Sequence, residues 1–180
     1  MSGVEKITVR AEPHPPGIAY AALPVYPHHM EDIGRKHPAK GVQISLSEPT
    51  IVFLTVCTEK RFPWLACKSA HALLLDAWKG ADRWLVGRYV LMPDHVHLFC
   101  APGDFETRLE QWVRFWKSHV SRYAPDPAWR WQADFWDTRL RRGENYSEKW
   151  EYVRENPVRA GLAATQDAWP YQGIIHELRW

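Results

Sequence analysis

The sequence has few of the features that mark secreted, zinc-binding or membrane proteins. It carries three cysteines among 180 residues, Cys57, Cys67 and Cys100, and no two of them form a CxxC pair. We therefore expect neither a disulfide framework nor a zinc finger. No window reaches the roughly 18 uninterrupted apolar residues of a membrane span, and the N-terminus has no apolar signal-peptide core. These absences predict a cytoplasmic protein with no membrane partner.

An excess of charge of one sign is also lacking. Lys and Arg total 23 and Asp and Glu total 21, so the formal net charge is +2. This balance gives no whole-chain bias toward nucleic acid or a membrane, and it predicts modest non-specific affinity for DNA. Apolar residues make up 46% of the chain and charged residues 24%, a composition that excludes a disordered or collagen-like protein.

Tryptophan, in contrast, is abundant, with eleven copies. Such a number is typical either of a heavily aromatic core or of rings left exposed for base stacking. The length predicts about one domain plus a tail. Prolines without sustained periodicity mark residues 1–48 as an extended N-terminal arm, and residues 49–180 as the domain with a C-terminal tail.

Hydrophobic periodicity predicts four strands and three helices in the domain. The predicted strands are Thr50–Cys57, Trp84–Met92, His95–Ala101 and Asp134–Leu140. The predicted helices are Lys68–Lys79, Asp104–Tyr123 with Asp104 as N-cap, and Asn145–Asn156, which Pro157 should end. The order is the split β-α-β, or ferredoxin-like, arrangement of an α+β fold. It places both main helices on one face of an antiparallel sheet, and the additional C-terminal helix could cover the other.

One predicted strand carries the pattern His95-Val96-His97. Side chains at positions i and i+2 of a strand project from the same face, so the two imidazoles should lie close together. Two imidazoles suit a first-row divalent metal whose site an oxygen ligand completes. The alternative is a pair of ordinary strand histidines or an inter-strand hydrogen bond.

The C-terminal helix presents a second candidate group. Tyr146, Trp150 and Val153 form one apolar stripe at helical spacing. Tyr152 lies well off that stripe, with Glu148 and Asn156 four residues before and after it on the same flank. This flank therefore offers a phenol with oxygen ligands above and below. The alternative is a tyrosine at the edge of a helix–sheet contact.

Basic and aromatic residues accompany these elements. The candidate DNA-binding side chains are Lys117, Arg122, Arg139, Arg141, Arg142, Arg154 and Arg159. Trp129, Trp131 and Trp136 surround the predicted last strand, whereas Trp112 and Trp116 have the spacing of core residues. Basic groups with interleaved aromatics suit single-stranded nucleic acid. The interspersed acidic residues leave a solvated, mixed-charge surface as the alternative.

Together these segments resemble a known family. The run Tyr89–Leu98 (YVLMPDHVHL) resembles the central motif of the HUH single-tyrosine transposases. The runs Trp131–Trp136 (WQADFW), Tyr152–Leu162 (YVRENPVRAGL) and Trp169–Gly173 (WPYQG) resemble their REP-associated branch. The resemblance covers residues 48–175, and the combination of motifs is more specific than any one of them.

The resemblance implies an enzyme, a DNA endonuclease and strand transferase. By position, His95 and His97 would bind a divalent metal, Mg²⁺ or Mn²⁺, and Tyr152 would be the nucleophile that forms a 5′-phosphotyrosine intermediate. Asn156 would complete the metal site, with Glu148 or a water as the alternative ligand. The implied partner is single-stranded DNA with a REP-like hairpin, bound by a monomer or a homodimer. The sequence names no general base.

Two other functions are alternatives to this one. The first is a non-catalytic DNA-binding protein derived from a transposase, which would need neither the histidine pair nor the tyrosine. The second is a histidine-triad nucleotide hydrolase, whose pattern requires a further histidine where this chain has Phe99. The predicted site residues are therefore Tyr152, His95, His97 and Asn156, together with the seven basic side chains.

Overall fold

A five-stranded antiparallel sheet organises the protein. The computed structural model describes residues 50–140 and 144–179. The strands are β1 (Val52–Cys57), β2 (Trp84–Leu91), β3 (His95–Pro102), β4 (Trp136–Arg139) and β5 (Gln172–Ile174). The helices are α1 (Lys68–Gly80), α2 (Leu109–Tyr123), α3 (Glu144–Arg154) and the single turn α4 (Asn156–Arg159). The strand order is β4-β1-β3-β2-β5, which confirms the predicted α+β class with a ferredoxin-like arrangement.

Helices α1 and α2 cover one face of the sheet, as predicted. Alternate residues of β3, Val96, Leu98 and Cys100, are fully buried on this face because the side chains of a strand alternate between its two sides. Trp78 of α1 and Trp116 of α2 pack over them with ring centroids 6.0 Å apart. Most of the tryptophan-rich composition is therefore explained by a core of large rings.

The second face is covered by α3 and by the C-terminal segment. Tyr146 and Trp150 pack their ring edges against Phe99 of β3, at centroid distances of 4.8 and 6.4 Å. Trp169 is buried in the same cluster and donates its indole hydrogen to the carbonyl of Leu91, at 2.9 Å. The expectation that the last helix covers this face is confirmed, so β3 does not present a broad open surface. Strand β5, which pairs with β2, was not predicted.

Helix α2 begins at Leu109, five residues later than predicted. The Asp104 carboxylate does accept backbone N–H groups, from Glu106 at 3.0 Å and Thr107 at 2.8 Å, but it also pairs with Arg83 at 2.9 Å. These bonds stabilise a turn before the helix, since Asp side chains compete with helical hydrogen bonding. Phe105, which the predicted helix would include, lies before α2 and is 61% exposed.

The predicted last helix is two helices in the structure. Helix α3 ends at Arg154, and α4 begins at Asn156 with Pro157 in its first turn. Proline is tolerated there because the first N–H groups of a helix have no intrahelical acceptor. The predicted N-terminal arm, residues 1–48, and the candidate DNA-binding residues Arg141 and Arg142 lie outside the described residues. Within the ranges that are described, no helix combines the length and apolarity of a membrane span.

Candidate active site

Strand β3 holds His95 and His97 on the face that α3 partly covers. Their rings are edge-on at a centroid distance of 4.6 Å, and the two Nε2 atoms are 3.1 Å apart. Such a pair either shares one proton in a hydrogen bond or directs two lone pairs at one cation. The predicted proximity of the imidazoles is therefore present in the structure.

The other ring nitrogen of each histidine has its own partner. His97 Nδ1 lies 2.8 Å from the Thr55 hydroxyl, and His95 Nδ1 lies 2.6 Å from a carboxylate oxygen of Asp94. Thr55 reaches its partner because the register of β1 against β3 places it directly opposite His97. When a histidine donates from Nδ1 in this way, its Nε2 is left as a lone-pair ligand.

This arrangement fits a divalent cation. Metal-binding histidines characteristically donate their second ring nitrogen to a carboxylate or another acceptor. Adjacent ligands in an octahedral site with bonds of about 2.1 Å are about 3 Å apart, which agrees with the Nε2 separation of 3.1 Å. Among the described residues, no set of three His, Cys, Asp or Glu side chains is grouped to hold a metal ion. The remaining ligands would have to be an amide oxygen, water oxygens or a carboxylate that moves toward the pair.

The charges around the pair favour neutral imidazole at His97. Burial lowers the pKa of His97 well below its ordinary value, and the nearby cationic groups of Lys149, Arg61 and Arg159 lower it further. Burial alone would raise the pKa of Asp94, but the hydrogen bond with His95 and the charge of Arg61 outweigh it and hold the pKa below its ordinary value. Asp94 is therefore an anion when it orients His95.

Arg61 reaches this group from a short 3-10 turn, Glu59–Arg61. Its Nε lies 2.6 Å from the second carboxylate oxygen of Asp94, and its Nη2 lies 3.4 Å from His95 Nδ1. Lys60 and Arg61 both have left-handed backbone angles, with φ of 52° and 59°. That conformation is costly for residues with a side chain, and here it directs the guanidinium of Arg61 at Asp94.

Tyr152 lies on the exposed side of α3, with 49% of its surface accessible. Two cations flank its ring: the Arg159 guanidinium at 4.3 Å and the Lys149 ammonium at 5.5 Å from the centroid. The same Lys149 ammonium is 4.9 Å from the ring of Phe53, which stacks on His97 at 5.4 Å. A continuous series of contacts therefore joins the tyrosine to the histidine pair. The apolar stripe that was predicted for Tyr146, Trp150 and Val153 is buried, as expected.

Asn156 lies at the start of α4, one turn after Tyr152. Its side-chain oxygen accepts a hydrogen bond from Arg159, which also donates to the Tyr152 carbonyl at 2.9 Å. Arg159 thus joins the two residues that were predicted to act together. Glu148, the alternative ligand, is exposed on α3. The role of Asn156 as a metal ligand stays a prediction.

The structure separates the predicted DNA-binding residues. Arg159 lies at the tyrosine, whereas Arg154 forms an ion pair with Asp167. Lys117 donates to the carbonyl of Gln132 at 2.5 Å, so it supports the segment before β4. Arg122 is exposed at the end of α2, on the helix-covered side of the sheet, and Arg139 ends β4. Their contact with DNA stays a prediction.

Sequence reasoning missed five residues of this group: Phe53, Thr55, Arg61, Asp94 and Lys149. Asp94 had a local signal, because a carboxylate directly before a histidine ligand is a common orienting partner. Lys149 lies one turn before Tyr152, so helical spacing could have found it. The other three come from distant positions and required the strand register or the turn geometry.

Comparison with known proteins supports the fold. No family model matches the sequence, and no curated protein matches it significantly. The chain is similar to the solved structure of a REP-associated tyrosine transposase bound to a REP hairpin, with a TM-score of 0.63 and 19% identity over 77% of this chain and 81% of that one. A candidate transposase from Deinococcus radiodurans R1 matches at 20% identity over 66% of this chain and 97% of that one, with a TM-score of 0.43. The chain therefore has the fold of the REP-associated tyrosine transposase.

Proposed function

We propose that this protein is a transposase of the HUH single-tyrosine type, which cleaves and rejoins single-stranded DNA beside a hairpin. The observation that carries the proposal is the pair of Nε2 atoms 3.1 Å apart, with each Nδ1 held by a partner and contacts leading on to Tyr152. The fold likeness to a transposase bound to a REP hairpin supports the same reading.

His95 and His97 would hold a divalent cation, Mg²⁺ or Mn²⁺. Bound there, the cation supplies Lewis-acid polarisation of a phosphate oxygen. Asn156 is the proposed third ligand, with Glu148 or a water as the alternative. The Asn156 oxygen accepts a hydrogen bond from Arg159, and its second lone pair could coordinate the cation. Asp94 and Thr55 orient the imidazoles.

Tyr152 would be the nucleophile. Its phenolic oxygen forms a bond to phosphorus while the bond from phosphorus to the 3′-oxygen breaks. The phenolic proton leaves to solvent, and the 3′-oxygen gains a proton, so the products are a 5′-phosphotyrosine and a 3′-hydroxyl. One phosphodiester replaces another, and the reverse reaction rejoins the strand without an external energy source. A neutral phenol needs activation, and the cations of Lys149 and Arg159 over the ring would stabilise the developing negative charge.

The proposed substrate is a REP-like hairpin with a short single-stranded flank. A net charge of +2 favours a structured target over random DNA, because non-specific binding depends on the number of phosphates that are neutralised. The hairpin bound by the similar transposase supports this substrate class.

Tyr152→Phe should abolish a covalent protein–DNA adduct while leaving hairpin binding intact, since only the attacking oxygen is removed. The measurement incubates labelled hairpin oligonucleotides with Mg²⁺ or Mn²⁺ and resolves the products on a denaturing gel. Tyr146→Phe, on the same helix but in the buried stripe, is the matched control and should still form the adduct. An undiminished adduct in the Tyr152 variant would refute the assignment.

Replacing both His95 and His97 by Ala should remove metal-dependent cleavage. It should also abolish Mn²⁺ binding measured by calorimetry, because the two nitrogen ligands are lost.

The second candidate function, a non-catalytic hairpin-binding protein, is favoured by one observation: no three His, Cys, Asp or Glu side chains of the described ranges form a metal group. Hairpin binding by the wild type without any adduct would support that candidate instead.

A further inference from the structure

Three tryptophans lie before and within β4, and they differ in how far their rings are buried. The Trp129 ring stacks on Trp64 at 4.9 Å, and Trp131 packs edge-on against Trp116 at 5.3 Å. Both belong to the margin of the helix-side core. Trp136, in contrast, is 49% exposed. Core packing therefore explains the first two tryptophans and leaves the third unexplained.

The sheet register determines which face Trp136 occupies. Trp136 pairs directly with Thr55 on β1, and Thr55 pairs with His97 on β3. Directly opposed residues of antiparallel strands project to the same face. Trp136 is therefore on the histidine face, two strands from His97, which corresponds to about 10 Å across the sheet. The next residue, Asp137, pairs with the helix-side core residue Leu54 and so projects to the other face.

An exposed indole at this distance from the histidine pair matches a known mode of recognition. Proteins that bind single strands stack unpaired bases on aromatic side chains, and such stacking tolerates any base because every base has a π-face. Among the strands of the described ranges, β4 is at the edge of the sheet, so a DNA strand can approach Trp136 from the side that β1 does not occupy. The part of the histidine face that α3 covers lies at Phe99, which pairs with Phe53 two residues along the strands from the Thr55–His97 pair.

We propose that Trp136 stacks on an unpaired base next to the phosphate held at the histidine pair. This inference rests on the proposed function for the location of the phosphate, but the stacking itself requires no cleavage. The ligand is the single-stranded flank of a DNA hairpin, and the recognition is of a base face rather than of one base identity.

The test measures binding of the full chain to a fluorescent hairpin with a short single-stranded flank, to the same hairpin without the flank, and to one with abasic flank positions. Metal is left out so that binding is read separately from cleavage. W136A should weaken binding of the flanked hairpin about 5- to 100-fold, the range expected for loss of one stacked base. W136F should lose less, and neither variant should alter binding of the blunt or abasic hairpin.

Phe115 provides the matched control, because it is a similarly exposed aromatic, at 55%, on α2 across the sheet. F115A should bind every hairpin as the wild type does. Equal affinity of W136A and wild type for the flanked hairpin would overturn the proposal, and so would an equal loss on flanked and blunt hairpins. Equal affinity of the wild type for the flanked and the blunt hairpin would overturn the proposal as well.

Failure of the proposed function has a different signature. If W136A loses affinity only for the flanked hairpin but the wild type forms no adduct with Mg²⁺ or Mn²⁺, the stacking proposal is supported and the proposed DNA cleavage is refuted. If the adduct forms and W136A binds the flank normally, the nuclease reading holds and the stacking fails.

Discussion

Contacts with both adjacent and distant residues orient the side chains of the candidate site. Asp94 pairs with the adjacent His95 and with the distant Arg61, and Thr55 contacts His97 across the β1–β3 pair. A similar pair lies on the helix face, where His71 Nε2 is 2.8 Å from the Tyr89 hydroxyl. Burial raises the pKa of Tyr89 to about 12, so Tyr89 remains a neutral phenol beside that ring.

His71 should make stability depend on pH. Burial lowers its pKa below the ordinary value of 6.5, so below that pH the unfolded chain binds more protons than the folded one. The free energy of unfolding should therefore fall on acidification from about pH 8 to about pH 5. Urea unfolding of wild type and H71Q across this range isolates the effect, and the advantage of the wild type should shrink as pH falls. If the difference in free energy of unfolding between wild type and H71Q stayed constant or grew as the pH fell, the pH dependence would not come from His71.

The connection between β3 and α2 depends on a close approach of two backbone segments. Gly103, between β3 and α2, donates its N–H to the carbonyl of Arg83 at 2.9 Å. A Cβ at this position would lie 2.4 Å from the backbone oxygen of Asp82. The turn after β3 therefore has room only for glycine at position 103.

Gly103→Ala should destabilise the protein by about 1–3 kcal/mol, the usual cost of forcing atoms into a filled space. The clash is with backbone, so no side chain can rotate away. Gly80→Ala is the matched control, because nothing lies within 4 Å of a Cβ there and Gly80 ends α1. It should be neutral or stabilising by up to about 1 kcal/mol. Urea unfolding compares the two, and equal effects would contradict the packing argument.

The described part of the chain has three layers, with α1 and α2 on one face of the sheet and α3 with the C-terminal segment on the other. The second layer encloses a separate apolar cluster that includes Val90, Phe99, Trp150 and Trp169. The segment after α4 contributes Trp169 and Leu178 to this cluster, beside the α3 residues.

Trp169→Ala should cost about 3–5 kcal/mol, since a buried ring is removed and the carbonyl of Leu91 loses its indole donor. Thermal unfolding should shift down by roughly 6–20 °C for a chain of this size. W136A removes the same side chain from an exposed position and should shift the midpoint by little. A similar shift in both variants would mean that the second layer contributes less than its burial implies.

Periodicity in the sequence was sufficient to predict strands β1 to β4 and the helical layer of α1 and α2. The strict alternation of His95, Val96, His97 and Leu98 predicts which side chains face the helices, and the structure confirms it. The spacing of Tyr146, Trp150 and Val153 likewise predicts the buried stripe of α3. The start of α2, the division of α3 from α4 and strand β5 were missed. Each of these depends on side-chain competition or on pairing with a distant strand.

Local patterns along the chain predict the fold class, the paired imidazoles and a tyrosine displaced from the apolar stripe. Those features follow from the period of a strand or a helix, which needs only neighbouring residues. The tertiary structure alone decided that Thr55 and Asp94 hold the imidazoles, that Lys149 and Phe53 join Tyr152 to them, and that Trp136 faces the same side. Strand register and turn geometry bring these groups together across the sheet, and no local spacing encodes which residues then meet.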